Sequence, residues 1–277
     1  MSSPPPPAPQ FGDTAVRLGY VSSEQLQISL DEQTHQRGVG RVASPIGALL
    51  HDKGLLTPSQ ITSVLRHLTG GQLPLSEDGV RLAAQVKVLH AAASNVIGVT
   101  GTLDEDVACA TVEIAVGLAV MEQGQVLALD GNVRRPALHR LLQSPLVPGW
   151  LEQIGGGASG ECPAPLATRV PALSLLPAGG PTDDPVAAVM SPGAGELLER
   201  YRSQHRYVLI NLGPITMQPE AAVTASRCDG VIVVLRAGLS QKSELRDIQR
   251  MLAGLRVRIS GVVLSRRATR SERRRLR

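Results

Sequence analysis

The residues with the clearest chemical potential lie in two short runs, 101–110 and 130–134, and each run follows an apolar stretch. The apolar stretches, Asn95–Thr100 and Gln125–Asp130, flank a segment with helical spacing of apolar residues, which predicts a strand–helix–strand unit. Parallel strands joined in this way end at the same edge of a sheet, where such folds bind phosphate groups. The polar side chains of the two runs are Asp104, Glu105, Asp106, Asp130, Asn132 and Arg134.

The first run has the wrong composition for a phosphate-binding loop. Such a loop needs glycines whose N–H groups surround the anion, a lysine for the terminal phosphates and a Ser or Thr hydroxyl for Mg²⁺. After Gly101, three carboxylates stand where the anion would bind, and no lysine accompanies them. A carboxylate about 4 Å from a phosphate charge costs about 1 kcal/mol in water and about 4 kcal/mol near a protein surface. We therefore expect no ATP or Mg²⁺ binding and no other cofactor.

The segment from about Leu75 to Leu264 resembles the cytoplasmic domain of bacterial tyrosine kinases (BY-kinases), within the ParA/MinD class of P-loop ATPases. The resemblance rests on ordered motifs, which are RRPALHRLL, LLPAGGPTDDP, YVLINLGPI, CDGVIVVLRAG and ISGVVLS. It implies an α/β fold of the SIMIBI class of P-loop NTPases, with a mostly parallel sheet and helices on both faces.

The nucleotide-binding signature of that family is Gly-Lys-Ser/Thr. A gapless match from Val99 to Asp130 places Val107, Ala108 and Cys109 on these three positions. Ala110 falls on the next position, where the family often has a threonine. The lysine and the hydroxyl are therefore both missing, which makes this a degenerate Walker A motif.

The metal-binding positions of the family also differ. The Asp-x-Asp-x-Arg motif becomes Asp130, Asn132 and Arg134, so its second carboxylate is an amide. The family's Asp that holds Mg²⁺ through water after a later strand is Asn211 here. Together with the altered loop, these changes imply a pseudokinase or pseudo-ATPase with no catalytic residue and no metal site.

Length and composition predict one large and one small domain. The chain has 277 residues, 43% of them hydrophobic, and no apolar run approaches the ~18 residues of a membrane span. Its start lacks the features of a signal peptide, so we expect a cytoplasmic protein, peripheral at the inner membrane through its partners. The last twelve residues, Arg266–Arg277, hold seven arginines and one glutamate, and this tail could contact nucleic acid or an anionic membrane.

An internal repeat occupies the N-terminal part, where Phe11–Leu30 aligns with Ile46–Leu65. Each copy predicts a short helix, a glycine turn, a capping residue (Ser22 or Thr57) and a second helix. The repeat resembles the N-terminal domain of type II secretion and type IV pilus ATPases, some of which bind cyclic di-GMP. The arginines that open each repeat in the binding forms are absent, so we expect a docking module rather than a dinucleotide receptor.

These observations divide the chain into five parts. They are a Pro-rich tail (1–10), a helical two-repeat module (11–68), a linker (69–79), the ParA/BY-kinase-like α/β domain (80–265) and the Arg-rich tail (266–277). A helix is predicted at Arg81–Ala93, and only Asp78 and Arg81 approximate the Glu-x-x-Arg-x-x-Arg pattern through which BY-kinases form rings.

The resemblance implies a regulatory or adaptor protein in bacterial exopolysaccharide or capsule synthesis and export. Its partners would be a polysaccharide co-polymerase, an active kinase or a second copy of the chain. Three alternatives remain open at this point. They are an active ATPase or tyrosine kinase with a relocated lysine such as Lys87, a cyclic di-GMP-responsive receptor, and a ParA/MinD-like positioning factor.

Overall fold

The computed structural model describes residues 11–38, 46–68, 71, 76–89, 95–121, 125–155 and 164–266. The predicted Pro-rich tail and residues 267–277 of the Arg-rich tail lie outside the described residues. Among the helices of the described ranges, none is long and apolar enough to cross a membrane.

Seven strands form one sheet in the order β3-β4-β2-β5-β1-β6-β7. All neighbouring strands are parallel except β3 and β4, which are antiparallel. The strands are β1 (Val96–Gly101), β2 (Val126–Asp130), β3 (Leu166–Ala167), β4 (Leu173–Leu176), β5 (Tyr207–Gly213), β6 (Gly230–Arg236) and β7 (Ile259–Ser265). This architecture confirms the predicted α/β fold with a mostly parallel sheet.

Helices lie on both faces of the sheet. The first six are α1 (Phe11–Arg17), α2 (Ser23–Gly38), α3 (Ile46–Asp52), α4 (Pro58–Leu68), α5 (Glu77–Leu89) and α6 (Asp104–Met121). The others are α7 (Leu138–Leu141), α8 (Trp150–Gly155), α9 (Pro185–Met190), α10 (Pro192–Gln204), α11 (Pro219–Ala225) and α12 (Lys242–Gly254).

The central strand β5 shows how the two faces are built. Its side chains alternate, so Tyr207 and Leu209 pack into the core that contains α5 and α6, while Val208 and Ile210 pack into the core on the other side. All seven residues of β5 are buried, as expected for a parallel strand covered on both faces.

Helix α6 is buried on nearly all sides, because the sheet covers one side and other helices cover the rest. Of its 18 residues, 15 are buried. The N-terminal repeats contribute to this cover: a Cβ atom added at Gly47 of α3 would lie 2.5 Å from Cγ1 of Val120 and 3.3 Å from the ring of Phe11. Beyond its acidic first turn α6 is mostly apolar on all sides, so it has to be enclosed, and the repeats supply part of the enclosure.

The two repeats fold alike. In the first, Ser22 and Gln25 exchange hydrogen bonds between side chain and backbone, with N···O distances of 2.8 and 3.1 Å. Thr57 and Gln60 form the same reciprocal pair in the second repeat, at 2.9 and 3.3 Å. The turn before each cap is made by a glycine at positive φ, as the sequence pattern requires.

Helix α5 differs from its predicted bounds, Arg81–Ala93. It begins at Glu77, because the hydroxyl of Ser76 accepts a hydrogen bond from the N–H of Gly79 at 3.0 Å and so caps the helix. The last residues of the predicted linker 69–79 are therefore helical. The described part of the helix ends at Leu89, and residues 90–93 lie outside the described residues.

Candidate functional site

The two polar runs meet at the carboxyl edge of the sheet, as their order in the sequence predicts. Asn132, which follows β2, donates from Nδ2 to Oδ1 of Asp104 at 2.7 Å. Asp130 at the end of β2 stands beside Asn211 of β5 in the parallel register. The site is therefore assembled from the ends of neighbouring strands and from the start of α6.

The loop between the first predicted strand and the helix is shorter than the run 101–110. Only Thr102 and Leu103 separate β1 from α6, so residues 104–110 form the first two turns of a helix. Three carboxylates near a helix N-terminus are favoured by the helix dipole, which gives a physical reason for the early start. Backbone N–H groups that a phosphate-binding loop would leave open are used in helical hydrogen bonds from Val107 onward.

The four residues on the Gly-Lys-Ser/Thr-Thr positions are buried core residues. Their exposed fractions are 0% for Val107, 1% for Ala108, 3% for Cys109 and 8% for Ala110. Gly101 is needed for close packing, because a Cβ atom there would lie 2.2 Å from the carbonyl oxygen of Val234 in β6. These side chains hold the helix against the sheet.

Asp106 forms a buried ion pair with Arg236 at the end of β6. The guanidinium donates from Nε to Oδ2 at 2.7 Å and from Nη2 to Oδ1, a two-point contact. Both side chains are nearly inaccessible, and the hydrogen bond to Asp106 raises the pKa of Arg236 above its ordinary value. Ser265 of β7 donates to the same carboxylate at 3.4 Å.

Asp104 has two partners from the turn after β2. Besides Asn132, the exposed side chain of Arg135 lies 3.3 Å from its Oδ2. The N–H of Arg135 in turn donates to Oδ1 of Asn132 at 3.1 Å, so the amide joins the helix to the turn. The third acid, Glu105, is exposed.

Asp130 is fully buried and accepts three hydrogen bonds. The N–H groups of Ala137 and Leu138 donate to Oδ2 at 2.8 and 2.9 Å, and Nδ2 of Asn211 donates to Oδ1 at 2.8 Å. Burial raises the pKa of Asp130 to about 6, and the hydrogen bonds oppose part of that rise. In this arrangement the carboxylate fixes the turn that follows β2 and orients the amide of Asn211.

Arg134 binds a buried acid of this chain instead of projecting freely into solvent. Its Nε lies 2.5 Å and its Nη2 3.2 Å from the two carboxylate oxygens of Glu220, the second residue of α11. Glu220 is inaccessible, whereas the side chain of Arg134 is 48% exposed. The hydrogen bond to Glu220 raises the pKa of Arg134. Arg134 therefore pairs with Glu220 and Arg135 pairs with Asp104, so each arginine has an acidic partner within this chain. Neither requires an acidic group from another molecule to balance its charge.

The position of Lys87 does not suit a relocated phosphate-binding lysine. Helix α5 runs alongside α6 in the same direction, with Gly79 against Glu113 and Ala83 against Gly117. The same offset places Lys87 level with Met121, at the far end of α6. At a rise of 1.5 Å per residue, the level of Met121 and Lys87 is about 25 Å along the helix axis from Asp104. This distance is well beyond the reach of a lysine side chain.

Lys242 is the lysine that the fold brings towards the site. It is the first residue of α12, two positions after Ser240, whose hydroxyl oxygen lies 2.6 Å from that of Thr102 in the turn after β1. Its distance from the loop in sequence concealed this placement. The third lysine, Lys53, forms an ion pair with Glu32 at 2.7 Å in the N-terminal repeats.

Two charged residues of the site, Arg236 and Glu220, were missed by reasoning from the sequence. Arg236 ends the otherwise apolar strand β6, and a charge at the end of a buried strand is the signal that could have found it. Glu220 follows the proline that begins α11 and carries no comparable signal. Within the described ranges, no cluster of His, Cys, Asp and Glu has the geometry to hold a metal ion.

No protein-family profile matches the chain. Among curated proteins it is 28% identical over 141 residues to EpsB of Ralstonia solanacearum, which is named as a tyrosine-protein kinase. It is 25% identical over 183 residues to the succinoglycan biosynthesis transport protein ExoP of Rhizobium meliloti, and 22% over 158 residues to the tyrosine-protein kinase CpsD of Streptococcus agalactiae. These alignments cover 51%, 65% and 56% of the chain, but only 19% of EpsB, 23% of ExoP and 68% of CpsD.

Solved structures give the same picture of the fold. The BceF tyrosine kinase domain aligns with a TM-score of 0.57 and 25% identity over 85% of this chain and 88% of that domain. The VpsO kinase domain aligns with a TM-score of 0.61 and 24% identity over 69% of this chain and 97% of that domain. A third structure is the septum site-determining protein MinD of Pyrococcus horikoshii, solved with Mg-ADP. It aligns with a TM-score of 0.52 and 21% identity over 61% of this chain and 69% of MinD. The homologues of the chain are BY-kinases, and its fold is that of the P-loop ATPases related to MinD and ParA.

Proposed function

We propose that this chain, whose homologues are BY-kinases of exopolysaccharide and capsule systems, is a non-catalytic member of that class that acts as a regulator or adaptor. The observation that carries the proposal is the first turn of α6, which takes the place of a phosphate-binding loop. Its acid Asp106 is already neutralised by Arg236 of the same chain.

The residues of the site do not fit Mg·ATP. A triphosphate needs free backbone N–H groups, a lysine and a metal-holding oxygen set, whereas the corresponding positions here are buried apolar side chains and amides. Asp104 and Glu105, at the start of α6, would repel the phosphates. The internal ion pairs and hydrogen bonds of Asp104, Asp106 and Asp130 would have to break before the site could open.

The setting of the function is inferred from the relatives. ExoP is named for succinoglycan biosynthesis and transport, and CpsD for tyrosine kinase activity. The chain spans about a fifth of EpsB and of ExoP, so what those whole proteins do does not pass to it automatically. We place the chain in bacterial exopolysaccharide or capsule production, where it would act through contacts with a co-polymerase, an active kinase or a second copy.

One observation favours a rival function, a working ATPase. Lys242 stands at the carboxyl edge of the sheet, and it could reach an anion there if the start of α6 unwound. This rival predicts stoichiometric binding of Mg·ATP that Lys242→Ala abolishes.

Isothermal titration calorimetry of the full chain with Mg·ATP separates the two functions. We expect no heat of binding up to millimolar nucleotide, for the wild type and for Lys242→Ala alike. The kinase domain of Escherichia coli ETK, a structural neighbour, serves as a reference measured in the same buffer. Saturable binding by the wild type that is lost in Lys242→Ala would overturn the proposal in favour of the rival.

A second experiment tests the regulatory role itself. In a strain that lacks the chain, polysaccharide output should fall and should be restored equally by the wild type and by Lys242→Ala. Restoration by the wild type alone would indicate that nucleotide chemistry at Lys242 is required. Unchanged polysaccharide in the deletion strain would remove the proposed pathway.

A further inference from the structure

The two edges of the sheet are built very differently. At one edge, β3 is only two residues long, which leaves little backbone to pair with another chain. At the other edge, β7 has seven residues, Ile259–Ser265, and none of them is charged or a proline. Proteins protect an edge strand by keeping it short, by charges and prolines, and by β-bulges. Of these, β7 has only an irregularity in its pairing with β6 at Ser260, and the stretch from Gly261 to Ser265 pairs regularly.

The backbone of β7 offers free hydrogen-bonding groups at alternate residues. Within the described residues the strand pairs only with β6, and the N–H of Ala237 donates to the carbonyl oxygen of Ser265 at 2.8 Å. Since N–H and C=O groups change side at each residue, those of Val263 also face β6. The groups of Val262 and Leu264 therefore point away from the sheet.

The same two residues carry exposed apolar side chains. Val262 is 52% and Leu264 58% exposed, whereas Val263 between them packs against the core around α6. A cleft of about 480 Å³ lies between this strand and helices α5 and α6, and Val262, Leu264 and Arg266 line it on the strand side. The helix side of the cleft carries the acids Asp78 and Glu113 as well as Arg81, so the positive charges that a partner would meet are those at the ends of the strand. A strand added at this edge could therefore form backbone hydrogen bonds with Val262 and Leu264 and also pack against their apolar side chains.

Charges at the two ends of β7 decide which partner fits. Arg256 and Arg258 precede the strand, Arg266 follows it, and all three are exposed. The sequence continues with six more arginines between residues 267 and 277. A second copy paired antiparallel would bring Arg258 of one chain close to Arg266 of the other, so self-pairing is opposed by like charges.

We propose that β7 is a strand-accepting edge for an extended segment of a partner protein that alternates apolar residues and carries carboxylates at its ends. The partner's backbone would pair with the outward groups of Val262 and Leu264, and its apolar side chains would cover theirs. Its terminal carboxylates would meet Arg258 and Arg266. This interaction goes beyond the proposed function and does not depend on it, because it uses the outward groups of Val262 and Leu264, whereas the residue of β7 that contacts the site is Ser265.

The test uses the full chain and a fluorescein-labelled synthetic peptide in which valine alternates with threonine between pairs of glutamates. We expect saturable binding by fluorescence anisotropy that weakens as salt is added. Hydrogen exchange at the amides of Val262 and Leu264 should slow when the peptide binds. No saturable binding, or equally tight binding of a peptide with lysines in place of the glutamates, would overturn the proposal.

The double substitution Val262→Lys/Leu264→Lys should weaken peptide binding at least tenfold, although it adds positive charge. Met190→Lys/Met217→Lys is the matched control, because it also replaces two exposed apolar residues by lysines but lies away from β7. Binding unaffected by the β7 lysines contradicts the proposal.

Arg258→Gln/Arg266→Gln keeps the apolar edge and gives a second test should the lysine variant fail to fold. It should weaken the glutamate-flanked peptide and flatten its salt dependence. A wild-type dimer in sedimentation that disappears with the β7 lysines would identify a second copy as the occupant and would also overturn the proposal.

Discussion

The carboxylate of Asp106 and the guanidinium of Arg236 lie 130 positions apart in sequence and form a two-point ion pair inside the protein. The pair joins the first turn of α6 to the end of β6, at the sheet edge where a P-loop ATPase would hold phosphate. The arginine charge is therefore satisfied by a carboxylate of the same chain, and α6 is fixed in its early start.

Removing Arg236 should destabilise the fold strongly. Arg236→Ala leaves the carboxylate of Asp106 buried without its partner, which typically costs about 3–5 kcal/mol. The free energy of unfolding can be measured by urea denaturation monitored by circular dichroism. The double variant Asp106→Asn/Arg236→Met should recover most of the loss, because it removes both charges together.

Arg250→Ala is the matched control for this prediction. Arg250 also forms an ion pair, with Asp247, but the two side chains are 79% and 50% exposed. Exposed pairs contribute at most about 1 kcal/mol, so this variant should be nearly as stable as the wild type. Equal losses in Arg236→Ala and Arg250→Ala would show that the buried pair carries no special weight.

The fold was predictable from the sequence because its signals are local. The apolar runs that became β1, β2, β5 and β6 are short, rich in β-branched residues and separated by helical patterns, so their type and order follow directly. The start of α6 was not predictable in the same way. A run of acids after a strand suits both an exposed loop and a helix N-terminus, and only the pairing of Asp106 with the distant Arg236 decides between them.

Replacing Asn132 by aspartate should destabilise the protein, although it restores a residue type that the BY-kinase motif has. The amide donates to Oδ1 of Asp104 at 2.7 Å, so Asn132→Asp would place two carboxylates in contact. Two such groups cannot both ionise at this distance, and we expect a loss of about 1–3 kcal/mol at neutral pH. Thermal or urea unfolding at pH 7 measures it.

The reciprocal variant Asp104→Asn/Asn132→Asp provides the control. It exchanges donor and acceptor and keeps one carboxylate in the pair, so much of the lost stability should return. If Asn132→Asp instead became more stable on addition of Mg²⁺, a metal site would exist that the wild-type residues do not form.

The buried carboxyl group of Asp130 should make stability depend on pH below neutrality. Its pKa is raised from 3.8 to about 6, so the folded state holds the proton more tightly than the unfolded chain. The free energy of unfolding should therefore fall as pH rises from about 4 to about 6 and then level off, with a total change of about 3 kcal/mol from this group. Urea denaturation across this pH range measures the slope.

Asp130→Asn should remove that slope, because an amide does not titrate in this range. Asp247→Asn, at an exposed position, should leave it in place. A wild-type profile that rises through the same pH range would mean that Asp130 is ionised at a low pKa, with its three hydrogen bonds outweighing burial.

The relation of the N-terminal repeats to the α/β domain shows a second limit of sequence reasoning. Each repeat was readable from its caps and glycine turns, because these interactions span a few residues. The packing of α3 against α6 joins residues more than 70 positions apart, Gly47 and Val120, and leaves no local pattern. The sequence does give one indication of this packing, because α6 has apolar residues on all sides after its first turn. A helix without a polar face has to be buried on all sides by other elements.

Gly47→Val should destabilise the whole protein if the repeats pack on α6 as one structure with the sheet. The added side chain would meet Cγ1 of Val120, 2.5 Å from the position of its Cβ, and the ring of Phe11. Overpacking of this kind costs about 1–3 kcal/mol, and the loss should appear in a single unfolding transition. Gly254→Ala is the control, because a Cβ atom there meets nothing within 4 Å, and it should leave stability nearly unchanged. Two separate transitions, with only the smaller one shifted by Gly47→Val, would show instead that the repeats unfold independently of the sheet and that α6 is stable without their cover.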